Sequence, residues 1–208
     1  MVNTLDIILG PMFSCKTSRL LEITEKVKKE NKMSKKKKQF MMIIKPDIDK
    51  RYEESDETHH IISHDGLRHE CHMVNDLIKF LDKIEEEVKK INDDPTNNLW
   101  IIIDEGQFFK NLRKFCEKLF DLFGKSLNVK IVVSGLDGDY QKKSIGDILS
   151  LIPICDSVVK LKGRCQYCEE LSIMSKRTSG GKSQVLIGGE DLYKPTCRYH
   201  HNLSLKLK

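Results

Sequence analysis

Three groups of residues in this 208-residue chain have types and spacings that do chemistry. The first is Gly10-Pro11-Met12-Phe13-Ser14-Cys15-Lys16-Thr17, which follows the apolar run Ile7-Ile8-Leu9. It reads as a phosphate-binding P-loop: backbone N–H groups and a helix N-terminus converge on phosphates, the lysine reaches the terminal ones, and the neighbouring hydroxyl ligates Mg²⁺. Gly10, Lys16 and Thr17 occupy three of the four fixed places of GxxxxGK(S/T), and Cys15 stands where the second glycine belongs. A Cβ and sulfur at that place cost roughly 1–3 kcal/mol in strain or lost contact.

The second group is Asp104-Glu105, directly after the apolar run Leu99-Trp100-Ile101-Ile102-Ile103. A P-loop enzyme needs one carboxylate on the Mg²⁺ side, which Asp104 fits. Glu105 points to another face and is free to take a proton from an incoming hydroxyl as general base. The third is Cys165-x2-Cys168, followed by Cys197-x2-His200. Two such chelating pairs give tetrahedral Cys₃His zinc coordination, with no open position and hence a structural role. His201 is the alternative fourth ligand, and the x2 spacing favours His200. A metal there pins the segment Ser172 to Tyr193 as a loop over the rest. Cys71, Cys116 and Cys155 read as buried or half-buried thiols.

These groups need a scaffold, and the apolar runs supply one. Strands are expected at 5–9, 40–44, 61–63, 99–103, 129–134 and 156–161. Helices are expected at 17–29, 74–90 and 112–123. The polar 30–39 reads as a linker and the acidic 47–58 as a surface loop. Strands alternating with helices imply a mainly parallel sheet flanked by helices, with ligands at the strands' carboxyl ends. The expected fold is α/β: a P-loop NTPase-like core over 1–162 and a small zinc-binding domain with a lasso-like loop over 163–208.

Composition bounds the rest. A mass of 24.1 kDa suits one α/β core with a small appendage. The apolar runs fall far short of the roughly 18 residues of a membrane span, and Met1 to Asp6 lacks a signal peptide's regions. Seven cysteines without a secretory context point to a reducing, cytoplasmic compartment. The net charge of +5 comes largely from lysine clusters such as Lys35 to Lys38 and Lys142-Lys143, which usually form solvated loops rather than a nucleic-acid surface.

Gly10 to Thr17, Lys45-Pro46-x-x-Asp49-x-Arg51-Tyr52, Ser63-His64-Asp65-Gly66, Ile103 to Phe109, Gly135-Leu136-Asp137-Gly138 and the Cys-rich end with Ile187-Gly188-Gly189 run in an order that covers nearly the whole chain. In that order they resemble the cytosolic type of thymidine kinase found in animals, bacteria and large DNA viruses. The resemblance implies transfer of the γ-phosphate of ATP to the 5′-hydroxyl of thymidine. Glu105 is then the base, Lys16 steadies the phosphoryl group, and Thr17 with Asp104 holds Mg²⁺. The ATP site takes in Gly10, Pro11, Met12, Phe13, Ser14, Cys15, Lys16, Thr17, Asp104 and Gln107. Asp65 matches an acidic residue near metal and sugar. The resemblance also assigns the thymine pocket to Met12, Phe108, Leu136, Tyr140, Ser175, Gln184, Val185, Leu186, Ile187, Gly188 and Tyr193, and implies a homotetramer inhibited by thymidine triphosphate.

Three positions depart from the family's pattern: Cys15, Tyr140 in place of a phenylalanine, and Ile145 in place of an aromatic residue. Two other readings stand beside the kinase. One is a catalytically silent nucleotide-binding relative, crippled at Cys15. The other is a basic P-loop and zinc protein that binds nucleic acid, whose affinity would fall steeply with salt.

Overall fold

Runs that are apolar on both faces of an extended chain belong inside a sheet covered on both sides. The computed structural model describes residues 2–34, 38–49, 59–63, 66–90, 94, 96–179, 181 and 183–203. Strand β1 (Thr4–Leu9) leads through a tight loop into helix α1 (Lys16–Met33), which returns to β2 (Gln39–Pro46). Strands β3 (His60–Ile62) and β4 (Arg68–Glu70) form an antiparallel hairpin ahead of β5 (His72–Val74) and α2 (Leu77–Lys89). The alternation continues with β6 (Asn98–Ile103), α3 (Leu112–Phe123), β7 (Asn128–Gly135) and β8 (Ser157–Lys160).

Among the described residues one six-stranded sheet, parallel throughout, runs in the order β5-β2-β6-β7-β1-β8. The pleat sends alternate residues to opposite faces. Ile101 and Ile103 pack with Leu81 and Ile84 of α2 and Phe115 and Leu119 of α3 on one side. Ile102, between them, packs with Leu20 and Leu21 of α1 on the other. This is the expected α/β architecture, and it gathers the strands' carboxyl ends along one edge.

Beyond β8 the elements shorten. Strands β9 (Gly163–Arg164) and β10 (Leu171–Ser172) pair antiparallel, as do β11 (Met174–Arg177) and β12 (Tyr193–Thr196), and a single turn of helix α4 (Arg198–Leu203) follows.

Several boundaries differ from the sequence reading. Helix α1 runs on to Met33, so the polar linker is shorter than 30–39. Lysine and glutamate are good helix formers, and they carry the helix past the point where its apolar stripe stops. Helix α2 starts at Leu77 rather than Val74, because the Asp76 carboxylate caps it by accepting from the N–H groups of Ile78 (2.9 Å) and Lys79 (3.4 Å). Val74 instead pairs with Pro46 in β5. In the segment expected to be a surface loop, Asp49 is buried against Lys45 at 3.2 Å, and 50–58 lies outside the described residues.

Candidate active site

The sheet's register brings the catalytic candidates together. Ile8 and Leu9 of β1 sit opposite Ser134 and Gly135 of β7, while Val133 of β7 sits opposite Ile103 of β6. The residues that follow β1 and β6 therefore emerge side by side across the end of β7.

The loop after β1 is tightly enclosed. A Cβ at Gly10 would lie 2.5 Å from Ser14 Oγ and 2.8 Å from the Leu161 carbonyl, so only glycine fits. Phe13 and Cys15 both adopt left-handed backbone (φ 61° and 60°), and Cys15, exposed, is the residue that turns the chain into α1. The cysteine thus occupies the conformation for which glycine is suited. Lys16 is buried and donates from Nζ to the Pro11 carbonyl at 2.8 Å, a carbonyl that Ser14 Oγ also reaches at 2.8 Å. The positive end of an 18-residue helix opens at this loop.

Asp104 lies at the end of β6 and is 3% exposed. Thr17 Oγ1 donates to its Oδ2 at 3.1 Å, and Ser134 Oγ donates to Oδ1. Burial pushes the Asp104 carboxyl above the usual carboxylate range and the adjacent Glu105 adds to the rise, while Ser134, Lys16 and Thr17 pull the other way. A buried carboxylate beside a hydroxyl at the helix start fits a divalent cation as its partner. Glu105, half-buried with left-handed backbone (φ 52°), accepts a hydrogen bond from Gln107 Nε2 at 2.6 Å.

Two cavities meet at these residues. One, of about 300 Å³, is lined by Met12 to Ser18, Lys45, Asp49, Asp104 and Glu105, with Gly189 and Glu190 at its rim. The other is lined by Met12, Glu105, Phe108, Leu136, Tyr140, Ser175, Gln184 to Gly188 and Tyr193, together with Gly138, Asp139 and Ile145. Met12 and Glu105 belong to both. Met12 N–H also donates to Ser175 Oγ at 2.8 Å, which ties the P-loop to β11 across the chain.

The structure therefore brings Lys16, Thr17, Asp104 and Glu105 to one cavity, and every residue expected around a base to the adjoining one. Asp65 lies outside the described residues. Gln107 is expected beside ATP. It is 3% exposed, and its amide bridges Glu105 and the Leu136 N–H (2.9 Å to Oε1) behind the two cavities' linings. Sequence reasoning gave no role to the Lys45–Asp49 ion pair or to Asp139. The Asp139 carboxylate accepts from Gln141 N–H, Lys143 N–H and Gln184 Nε2. The Gly138-Asp139 turn was the available signal for Asp139.

The four expected metal ligands converge, with their ligand atoms all within 4.8 Å of one another. Cys168 Sγ and Cys197 Sγ are 3.9 Å apart, and His200 Nδ1 lies 3.4 Å from Cys197 Sγ and 3.7 Å from Cys165 Sγ. A tetrahedral zinc with Zn–S bonds of about 2.3 Å demands sulfur–sulfur separations of about 3.8 Å, so the cluster fits. Burial alone would raise the Cys165 thiol, but hydrogen bonds from the Cys197 and Tyr167 amides and the neighbouring thiols bring it down to about 6. His201 turns away, its Nε2 lying 3.1 Å from the Tyr140 carbonyl. That contact favours His200 as the fourth ligand.

Comparison with known proteins agrees with this geometry. The family model described as thymidine kinase matches residues 3–201. Thymidine kinase a of Arabidopsis thaliana is 37% identical over 94% of this chain and 73% of its own length. The cytosolic thymidine kinase of Cricetulus griseus is 33% identical over 93% of this chain and 71% of its own. The thymidine kinase of Mesomycoplasma hyopneumoniae is 30% identical over 97% and 96% respectively.

Proposed function

This chain belongs to the thymidine kinase family, and from that membership we propose that it transfers the γ-phosphoryl group of ATP to the 5′-hydroxyl of thymidine. The product, thymidine monophosphate, is a DNA precursor. The observation that carries this reading is the position of Glu105 at the junction of the two cavities, one floored by the P-loop and the other roofed by the segment 184–188. A nucleoside in the second cavity would turn its sugar toward the first. Glu105 would accept the 5′-hydroxyl proton with one carboxylate oxygen while Gln107 holds the other.

Lys16 and the amides at the start of α1 would hold the phosphates, exchanging the Pro11 carbonyl for phosphate oxygens. Thr17 and Asp104 would hold Mg²⁺, which when bound neutralises charge on those oxygens. Phe108, Tyr140 and Tyr193 offer faces for a flat base. Cys165, Cys168, Cys197 and His200 would hold a structural zinc.

Among the described residues no helix is long and apolar enough to cross a membrane; from the relative described as cytosolic we infer a cytoplasmic enzyme. A homotetramer is inferred from the family alone, and sedimentation at four times the chain mass would support it.

The test is phosphate transfer from ATP to thymidine by the purified protein beside Glu105→Gln. The variant should lose about 10²–10⁴-fold in kcat with an unchanged circular dichroism spectrum. Full activity in Glu105→Gln would remove the base assignment, and a wild-type protein that transfers nothing to thymidine would remove the function.

A further inference from the structure

We propose that Arg177, which lines neither cavity, is the positioning residue that fixes which hydrogen-bonding groups the segment 183–188 offers to a base. The inference rests on the kinase reading for its substrate but on contacts alone for its mechanism. Arg177 ends β11, and its guanidinium lies 4.0 Å from the centroid of the Tyr140 ring and 5.2 Å from that of Tyr193. From there it donates to the Ser183 carbonyl through Nη1 (2.5 Å), to the Gln184 carbonyl through Nη2 (3.1 Å), and to the Tyr193 hydroxyl through Nε (3.1 Å) and Nη2 (2.6 Å). The Tyr193 hydroxyl in turn donates to the Leu186 carbonyl at 2.8 Å. Ser183 Oγ donates to the Val185 carbonyl at 2.8 Å.

The consequence is an asymmetry in the strip of backbone that lines the cavity. The carbonyls of residues 183, 184, 185 and 186 are engaged within the protein. Among the described residues, no hydrogen bond takes up the amide N–H of Val185, Leu186, Ile187 or Gly188, nor the carbonyls of Ile187 and Gly188. The strip is therefore rich in available donors and keeps its acceptors only at its end, on Ile187 and Gly188. The pairing edge of thymine, an N–H between two carbonyl oxygens, takes two donors flanking an acceptor, whereas cytosine takes its acceptor at one end, so the order in which the strip presents these groups is what separates the two bases. Only a planar fork with five donors can reach two carbonyls and a phenol oxygen while lying over the Tyr140 ring, and lysine lacks that geometry.

The experiment compares wild type, Arg177→Ala, Arg177→Lys and Tyr193→Phe by amide hydrogen exchange over 183–188 and by steady-state kinetics, with zinc content measured on each to verify folding. Arg177→Ala should speed exchange in that segment and raise the KM for thymidine about 10–100-fold, leaving kcat and the KM for ATP within about threefold. It should also narrow the preference for thymidine over deoxycytidine. Arg177→Lys should behave like Arg177→Ala, Tyr193→Phe should fall between, and added guanidinium ion should partly restore Arg177→Ala. Unchanged exchange at 183–188, or a fall in kcat without a rise in KM, would overturn the assignment. Should wild type prove inactive on thymidine, the functional reading fails while the exchange data still decide the role of Arg177.

Discussion

The two cavities that meet at Glu105 are held by different means. The phosphate side stands on β1, β6 and β7, where Ile7, Ile101, Ile103, Ile131 and Val133 are fully buried. Its loop cannot move far without opening the core, since interiors are packed as densely as crystals. The other side is roofed by a segment whose ladder, among the described residues, is β11 with β12 alone. Its contacts are those of Arg177, those of Gln184 with Asp139 and the Ser144 carbonyl, and the convergence of Cys165, Cys168, Cys197 and His200 below it. On the proposed function, the phosphate cradle comes with the fold, whereas the acceptor pocket is shaped by a few polar contacts outside the sheet.

Removing the metal is the largest lever on that contrast. Structural zinc contributes about 10–16 kcal/mol of apparent binding energy in small domains. Exhaustive chelation, or Cys165→Ser, should therefore release the roof and abolish thymidine phosphorylation. The far-UV dichroism of the helices and parallel sheet should persist, and so should ATP binding measured by calorimetry. If the whole chain unfolds with zinc loss, the two regions are not separable. If phosphorylation survives in metal-free protein, the roof is not what holds the acceptor.

The same contrast decides what could be read from sequence. Helix α3 is legible to its ends, Leu112 and Phe123, because its apolar residues recur at helical spacing and Gly124 stops it. The central strands are legible because Leu99 to Ile103 offers no polar face. Strand β5 is not, since His72-Met73-Val74 is too short to show a period and takes its conformation from pairing with β2. The P-loop, the carboxylate pair and the metal ligands are close in sequence and carry their spacing openly. Asp49 sits in an acidic stretch that looks solvated, and only the fold buries it against Lys45. Arg177, in a Lys176-Arg177 pair, likewise looks like surface charge. Its partners at 140, 183, 184 and 193 come together only when β11 pairs with β12 and the segment between them folds back.

A smaller effect tests the rigid side, at Cys15. A non-glycine residue in left-handed backbone costs about 1–2 kcal/mol, and Cys15 sits there at φ 60° with its side chain exposed. Cys15→Gly relieves that strain but widens the choices of the unfolded chain, which offsets about 0.4–1 kcal/mol. The net gain in urea unfolding should therefore be modest, about 0.5–1 kcal/mol. Removing Cβ and Sγ from the cradle should also lower the KM for ATP while leaving that for thymidine unchanged, because the roof takes no part. A wild-type protein without activity, revived by Cys15→Gly, would instead mark the native chain as a silent relative whose cradle is too strained to take the phosphates. A variant less stable than wild type would mean that the sulfur makes a compensating contact, and that strain at this loop is balanced locally rather than carried by the core beneath it.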